Sequence, residues 1–379
     1  MKESLTWGTD VMHASATAVS QHVSYRIGPV RTFAFEVGAS KANRRIADML
    51  LAGHRGPWLL PIWPDVQRLS AAVAAGASTI PCRTDGFDFV PGGQAVLWLG
   101  AAQWEVVTIA TVGVSSLTLS ATLTSGWDAG TRLYPLRRAR LQLGAEEKLR
   151  GDAFGRRSLT FTLIDASAWP VLSSPMLYLT HPVLDVRPDE SNDPSHSVTR
   201  LEQTISNDVG PDVAYDVADQ ALRNQQTGWK LFGRAQHTWF RSLVYTLDGR
   251  RVPVWLPSFA ADLQPVAPIA GGSTALTIEW AGYTQFGLGR HNRKDVRIEL
   301  GDGTVYYRRI TAAVEVGATE TLTLDSVLSG NTIAPSAIRQ ISFMALATLA
   351  HDEVEIEHVT DADGTATSTL GWQAVVPDV

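Results

Sequence analysis

The chain holds one cysteine, Cys82, among 379 residues. That excludes an intramolecular disulfide and any multi-cysteine zinc or iron–sulfur site built by a single chain, and it suits folding in a reducing cytoplasm. Charge is scarce too: 18% of residues are charged against 45% hydrophobic, with a formal net charge of −6. Such a composition belongs to a globular protein with a weakly charged surface, not to a disordered chain, and a surface of that kind suits burial in an assembly. Lys and Arg are spread along the chain, so no specific nucleic-acid partner is expected. No stretch approaches the roughly 18 apolar residues that span a bilayer, and MKESLTWGTDVMHAS lacks the apolar run of a signal peptide. The expectation is a protein made in the cytoplasm without a membrane partner, long enough for two or three domains.

Helical patterns are few. ANRRIADMLL (residues 42–51) spaces Ile46, Met49 and Leu50 as one face of a short helix, and Val213 to Arg223 offers a second stripe in Val217, Ala221 and Leu222. Elsewhere short β-prone runs alternate with turn letters, among them RTFAFEVG, AVLWLG, WEVVTIATV, SLTFTLID, ETLTLDSVL and DEVEIEHV. In DVRIELGDGTVYYRRI, GDG predicts a hairpin turn, and Val296, Ile298 and Leu300 alternating with charged neighbours predict a strand with one buried face.

Chemical constellations are lacking as well. In HDEVEIEH a strand puts Glu353, Glu355 and Glu357 on one face with His351, and Val354 and Ile356 on the other with His358, so the two histidines diverge and no metal set forms. DADG (361–364) lacks the closing glutamate of a calcium loop, and GLGRHN (287–292) lacks both the third glycine and the βαβ setting of a dinucleotide site. The sequence contains no GxSxG, GxxxxGK[ST] or HExxH. No catalytic, cofactor-binding or metal-binding residue is assigned, and an enzyme is not expected. The third possibility, glycan cleavage by a carboxylate pair, finds no support in the linear order of the acids.

What is present is a repetition. WLLPIWPDVQ (58–67) returns as WLPSFAADLQ (255–264), matching Trp58 with Trp255, Asp65 with Asp262, and Gln67 with Gln264 at a separation of 197 residues (255 − 58). GASTIPC follows the first and GGSTALTI the second, and later strand segments keep the same order with drifting offsets, as loop insertions produce. The fold expected is therefore mainly β: two tandem, internally duplicated β-sandwich or β-barrel modules with few short helices. Their bounds are an N-terminal arm (1–23), copy 1 (24–165), an irregular connecting region with the exposed loop RPDESNDPSH (166–231), and copy 2 (232–379). RTFAFEV is matched with HTWFRSLVYTL as the opening strand of each copy, the first copy carrying an extra helix. For Trp58 and Trp255 a core role, an interface role and ligand stacking all stay open.

An aromatic strand followed by GRR-x-P-x-W-L-P-S with a downstream Asp (Gly249, Arg250, Arg251, Pro253, Trp255, Leu256, Pro257, Ser258, Asp262), then GGSTALTI and the DEVEIEH ending, resembles tail-tip and baseplate structural proteins of long-tailed, siphovirus-like bacteriophages. The resemblance covers residues 230–379 and, through the repetition, 24–165. It implies a non-enzymatic virion component at the tail tip, a distal tail protein or hub adaptor forming a homo-trimeric or homo-hexameric ring. Its partners would be the tail tube protein and other baseplate, hub and fibre proteins. A trimer of two-module chains would present six similar modules. The other expectation kept is a receptor- or carbohydrate-binding tail protein, using loop tryptophans such as Trp104 and Trp127.

Overall fold

Short apolar–polar alternations dictate short strands. In the computed structural model, which describes residues 1–13, 19–142, 146–191, 195–206, 208–360 and 364–376, strand accounts for 49% of the chain and helix for 12%, so the chain is mainly β. The N-terminal residues form β1 (Lys2–Thr6) and a separate hairpin of β2 (Thr9–His13) with β3 (Ser20–Ser24).

A first unit follows: β4 (Val30–Ser40), α1 (Lys41–Gly53), β5 (Trp58–Pro61), β6 (Gln67–Arg68), β7 (Thr79–Pro81), β8 (Gln94–Gly100), β9 (Gln103–Val112), β10 (Ser116–Leu119), β11 (Arg132–Leu141), β12 (Glu147–Leu149) and β13 (Phe154–Leu163). Antiparallel ladders join β11 to β5, β8 and β13, then β8 to β9, β9 to β10, β10 to β7, and β13 to β12 and β4. The connecting region contributes a small hairpin, β14 (Leu177–Tyr178) with β15 (His181–Pro182), and then β16 (Ser195–Ile205).

The second unit runs β17 (Val213–Phe232), α2 (Gly233–Leu247), β18 (Val254–Pro257), β19 (Ala275–Glu279), β20 (Asp295–Leu300), β21 (Val305–Val316), β22 (Thr319–Leu324), β23 (Ile338–Leu349), β24 (Glu353–His358) and β25 (Thr365–Ala374). Here β23 pairs with β18, β20 and β25, β20 with β21, β21 with β22, β22 with β19, and β25 with β24 and β17. Apart from the short β6–β11 ladder of the first unit, which has no counterpart, these are the pairings of the first unit. The registers correspond as well: Ile80 faces Leu117 as Leu276 faces Leu322, and Leu97 faces Leu133 as Ile298 faces Ile341. All eight side chains are fully buried. Gly76 (φ +84°) and Gly272 (φ +75°), 196 residues apart (272 − 76), turn the chain ahead of β7 and β19 in a left-handed conformation open to glycine. Their amides donate to the carbonyls of Leu123 and Ser329.

Three expectations change. HTWFRSLVYTL is not a strand but most of α2, with Phe240, Leu243, Val244 and Leu247 buried at helical spacing; α1 and α2 occupy the same place in their units, so the first copy carries no extra helix. Val213 to Arg223 is not a helix. It belongs to β17, because its backbone groups are claimed by the ladder to β16 and the strand runs on to pair with β25. In DVRIEL the hairpin forms, but both faces are buried: Arg309 and the Tyr178 hydroxyl bind Asp295, while Arg297 and Arg339 pair with Glu299.

The first N-terminal residues are built into the sheet. β1 lies between β4 and β24, with Ser4 opposite both Thr32 and Glu355. It thereby joins the two units into one sheet ordered β12–β13–β4–β1–β24–β25–β17–β16. One face of this sheet is inward: Leu5, Trp229, Val354, Ile356 and Trp372 pack with Phe240 and Leu247 of α2. The fold thus places one continuous polar sheet face outside and a closed seam between the units inside.

Candidate functional site

The six residues of the repeated decapeptides go to different surroundings. Trp255 is fully buried and its Nε1 donates to the Tyr178 carbonyl at 2.8 Å, whereas Trp58 is half-buried between His54 and Phe161. The ladders explain the difference. Trp58 lies opposite Ala139 and Val254 opposite Ala347, so Trp58 shares its position with Val254, and Trp255 shares its own with Leu59. A literal match at 197 residues is one residue out of step with a structural correspondence at 196, and one residue turns a side chain to the other face of a strand. Gln67 is buried, donating to the Val66 carbonyl at 2.7 Å, while Gln264 is exposed. Asp262 accepts from the Phe343 amide at 2.8 Å and from the Ser258 hydroxyl. Asp65 alone leads into a larger constellation.

That constellation is a buried charge cluster at the seam. The Arg31 guanidinium spans Glu3 (2.8 Å) and Asp88 (2.7 Å), and Arg137 also grips Asp88. From α2, Arg234 reaches Asp65 at 2.6 Å, and Arg241 bridges Glu3 (3.1 Å) and Asp65 (3.3 Å). The Asp88 amide donates to Asp65 at 3.1 Å, and His358 Nε2 lies 2.9 Å from Glu3. Three carboxylates thus meet four guanidinium groups, contributed by β1, the first unit and the second. Burial pushes the Glu3 carboxyl up, but Arg241, Arg31 and His358 outweigh it and hold it well below the usual carboxylate range. The same opposition, won by Glu3 and Asp88, raises Arg31. His237, whose Nε2 sits 3.2 Å from the Gly364 carbonyl, is lowered to about 4, first by burial and then by His358 and Arg234. Glu3 and Asp65 have no exposed surface, so this is a clamp between units, closed to any solute. Sequence reasoning missed it, although alternation carries a hint: Glu3 shares a strand face with Leu5, and Arg31 with Phe33.

The other face of the joined sheet is open and carries many small side chains among charged ones. Thr32 and Ala34 of β4, Ser4 of β1 and Thr367 and Thr369 of β25 lie along it, with Glu36, Glu353, Glu355 and Glu357 as its acidic stripe. A groove of about 960 Å³ runs over these strands. Lys2 pairs with Glu355 at 2.5 Å, leaving the stripe negative on balance. The divergence of His351 and His358 holds, with His358 buried and His351 at the groove. Among the described residues no three His, Cys, Asp or Glu converge as a metal-ligand set, and no helix is long and apolar enough to cross a membrane. GLGRHN lies in a loop of short turns, and residues 361–363 of DADG fall outside the described residues.

Two further surfaces stand out. Trp98 on β8 faces Trp104 on β9, 38% and 56% exposed, whereas Trp127, expected on a loop surface, is buried with its Nε1 donating to Glu105 at 2.9 Å. α1, unlike α2, buries none of its residues. Compared with known proteins, the chain matches no family model and no curated sequence.

Proposed function

We propose that this chain is a structural ring protein of the tip of a long bacteriophage tail, joining the tail tube to the hub and fibres. One observation carries the reading: two units with closely similar ladders stand side by side, and β1 merges their sheets so that a single exposed face, rich in Ser and Thr and carrying Glu36, Glu353, Glu355 and Glu357 beside Lys2, Lys148, Arg156 and Lys230, runs across both. A ring built from such units needs broad lateral contacts and sheet edges that can continue from subunit to subunit. In this reading the two units arose by internal duplication, the partners are further copies of the chain, the tube protein and neighbouring baseplate, hub and fibre proteins, and the chain works in the virion after synthesis in the host cytoplasm. Light scattering on the purified protein, with class averages from negative-stain images, tests it. A closed ring of three or six chains is expected, and a strict monomer at high concentration would sink it.

The exposed pair Trp98 and Trp104 favours a second reading, a tail protein that stacks host-surface sugars. Quenching of tryptophan fluorescence by the host's surface polysaccharide, lost in Trp104→Ala, is the outcome that reading requires.

A further inference from the structure

The junction inside the chain has an unused counterpart at its ends. With β13 and β25 matched by register, β16 lies along β17 as β1 lies along β4: Lys2 to Thr6 oppose Ala34 to Val30, and Ser195 to Thr199 oppose Gln226 to Leu222. β12 likewise holds the place along β13 that β24 holds along β25, Glu147 opposite Arg157 and Ile356 opposite Ser368. Inside the chain, β1 and β24 pair. Their counterparts β16 and β12 are the two outer edges of the eight-strand sheet, about 34 Å apart at seven strand spacings, and cannot meet in one copy.

Side chains at these edges are in the state that a missing neighbour produces. Leu5 of β1 is fully buried, and its counterpart Val198 is 56% exposed. Arg31, opposite Leu5, is paired to Glu3 and Asp88. Its counterpart Arg223, opposite Val198, is also buried, yet its Nε has no hydrogen-bond partner. α1 and α2 both open on a left-handed residue, Lys41 (φ +51°) and Gly233 (φ +72°), which aligns Arg45, Ile46 and Met49 with His237, Thr238 and Arg241. Those are the positions that α2 turns toward the seam, Arg241 into the charge cluster and Thr238 against Gly86. On α1 the same face is bare, Ile46 56% and Met49 73% exposed beside an exposed Arg45. The loop before β20, counterpart of the Gly86 loop before β8, exposes Phe286 (74%) and Leu288 (42%).

We infer that copies of this chain join head to tail by using the internal junction a second time. β16 of one copy takes β12 of the next along its free edge, with Ser195 opposite Lys148 and His196 opposite Glu147, and α1 of that next copy lays Ile46 and Met49 over Val198, Phe286 and Leu288. The contact is heterologous, so it propagates around a ring, and it covers an otherwise open strand edge. This rests on the ring reading above and names its lateral contact.

The test uses the full chain. Cys82 is buried and its thiol is pushed up to about 12, so it does not compete with introduced thiols. The double variant Ser195→Cys/Lys148→Cys, oxidised with copper–phenanthroline, should run as multiples of the chain on a non-reducing gel, while each single variant does not. Met49→Glu should reduce the mass in solution to that of one chain with an unchanged circular dichroism spectrum, and Val114→Glu, on a remote turn, should leave assembly intact. Assembled wild type together with an assembled Met49→Glu, or with a double variant that fails to cross-link, overturns this contact and leaves the ring reading standing. A wild type that stays a single chain and never cross-links overturns both.

Discussion

Glu3 shows how much can rest on one residue. Its carboxylate has no exposed surface and serves Arg31, Arg241 and His358 at once, so Glu3→Gln keeps the shape and leaves two guanidinium groups short of charge in a dry seam. Breaking a buried pair from one side costs about 3–5 kcal/mol, and the urea midpoint should fall accordingly. His237 sets the response to acid. Its folded pKa is depressed to about 4 from 6.5, so below 6.5 the unfolded chain takes up a proton that the folded one refuses. Its stabilisation is complete above pH 6.5 and drains away as pH falls toward 4. Glu3, also depressed, contributes above its unfolded value and loses that contribution only in stronger acid. Denaturant midpoints measured between pH 7 and 4 should slope downward in wild type and flatten in His237→Asn.

Between the two helices, burial rather than propensity decides their worth. α2 inserts Phe240 and Val244, both fully buried, into the core it shares with Trp229, Leu256 and Trp372; α1 follows an equivalent strand and leaves Met49 and Leu50 in solvent. Phe240→Ala should therefore cost about 3–5 kcal/mol, against less than about 0.5 kcal/mol for Leu50→Ala on a monomeric background. Equilibrium unfolding of the two variants checks the contrast, and equal losses would mean that α1 is packed in solution after all. α1 was legible in the sequence because Ile46, Met49 and Leu50 are spaced for a helix. α2 was equally periodic, but its aromatic and β-branched letters, matched against RTFAFEV, argued for strand until packing on β17 and β25 settled it.

Across the whole molecule, five residues of β1 do the joining. They complete ladders to β4 and β24 and carry Glu3 and Leu5 into the seam. Removing residues 1–6 should leave each unit with its own core, around Leu117 and Leu133 in one and Leu322 and Ile341 in the other, while uncoupling them. Calorimetry should then show two transitions where one is expected of the full chain, and a single transition in the truncated chain would place the coupling elsewhere. Because β1 lies in the middle of the outer sheet, the same deletion should also abolish assembly if that sheet lines a ring.

The sequence by itself determined the strand-rich class, the α1 helix, the GDG hairpin, the divergence of His351 and His358, and the existence of two stretches written alike. Each rests on periodicity or on turn chemistry, which act over a few residues and leave their mark in linear order. Tertiary structure alone decided the register that matches residues at 196 rather than 197, the burial of both faces of DVRIEL, the strand at Val213 to Arg223, and the gathering of Glu3, Arg31, Asp65, Asp88, Arg234 and Arg241 at one seam. Those residues lie up to 238 positions apart (241 − 3). Their attraction is strong only where water is excluded, and which residues share that dry space is settled by how the two units and β1 pack, not by spacing along the chain.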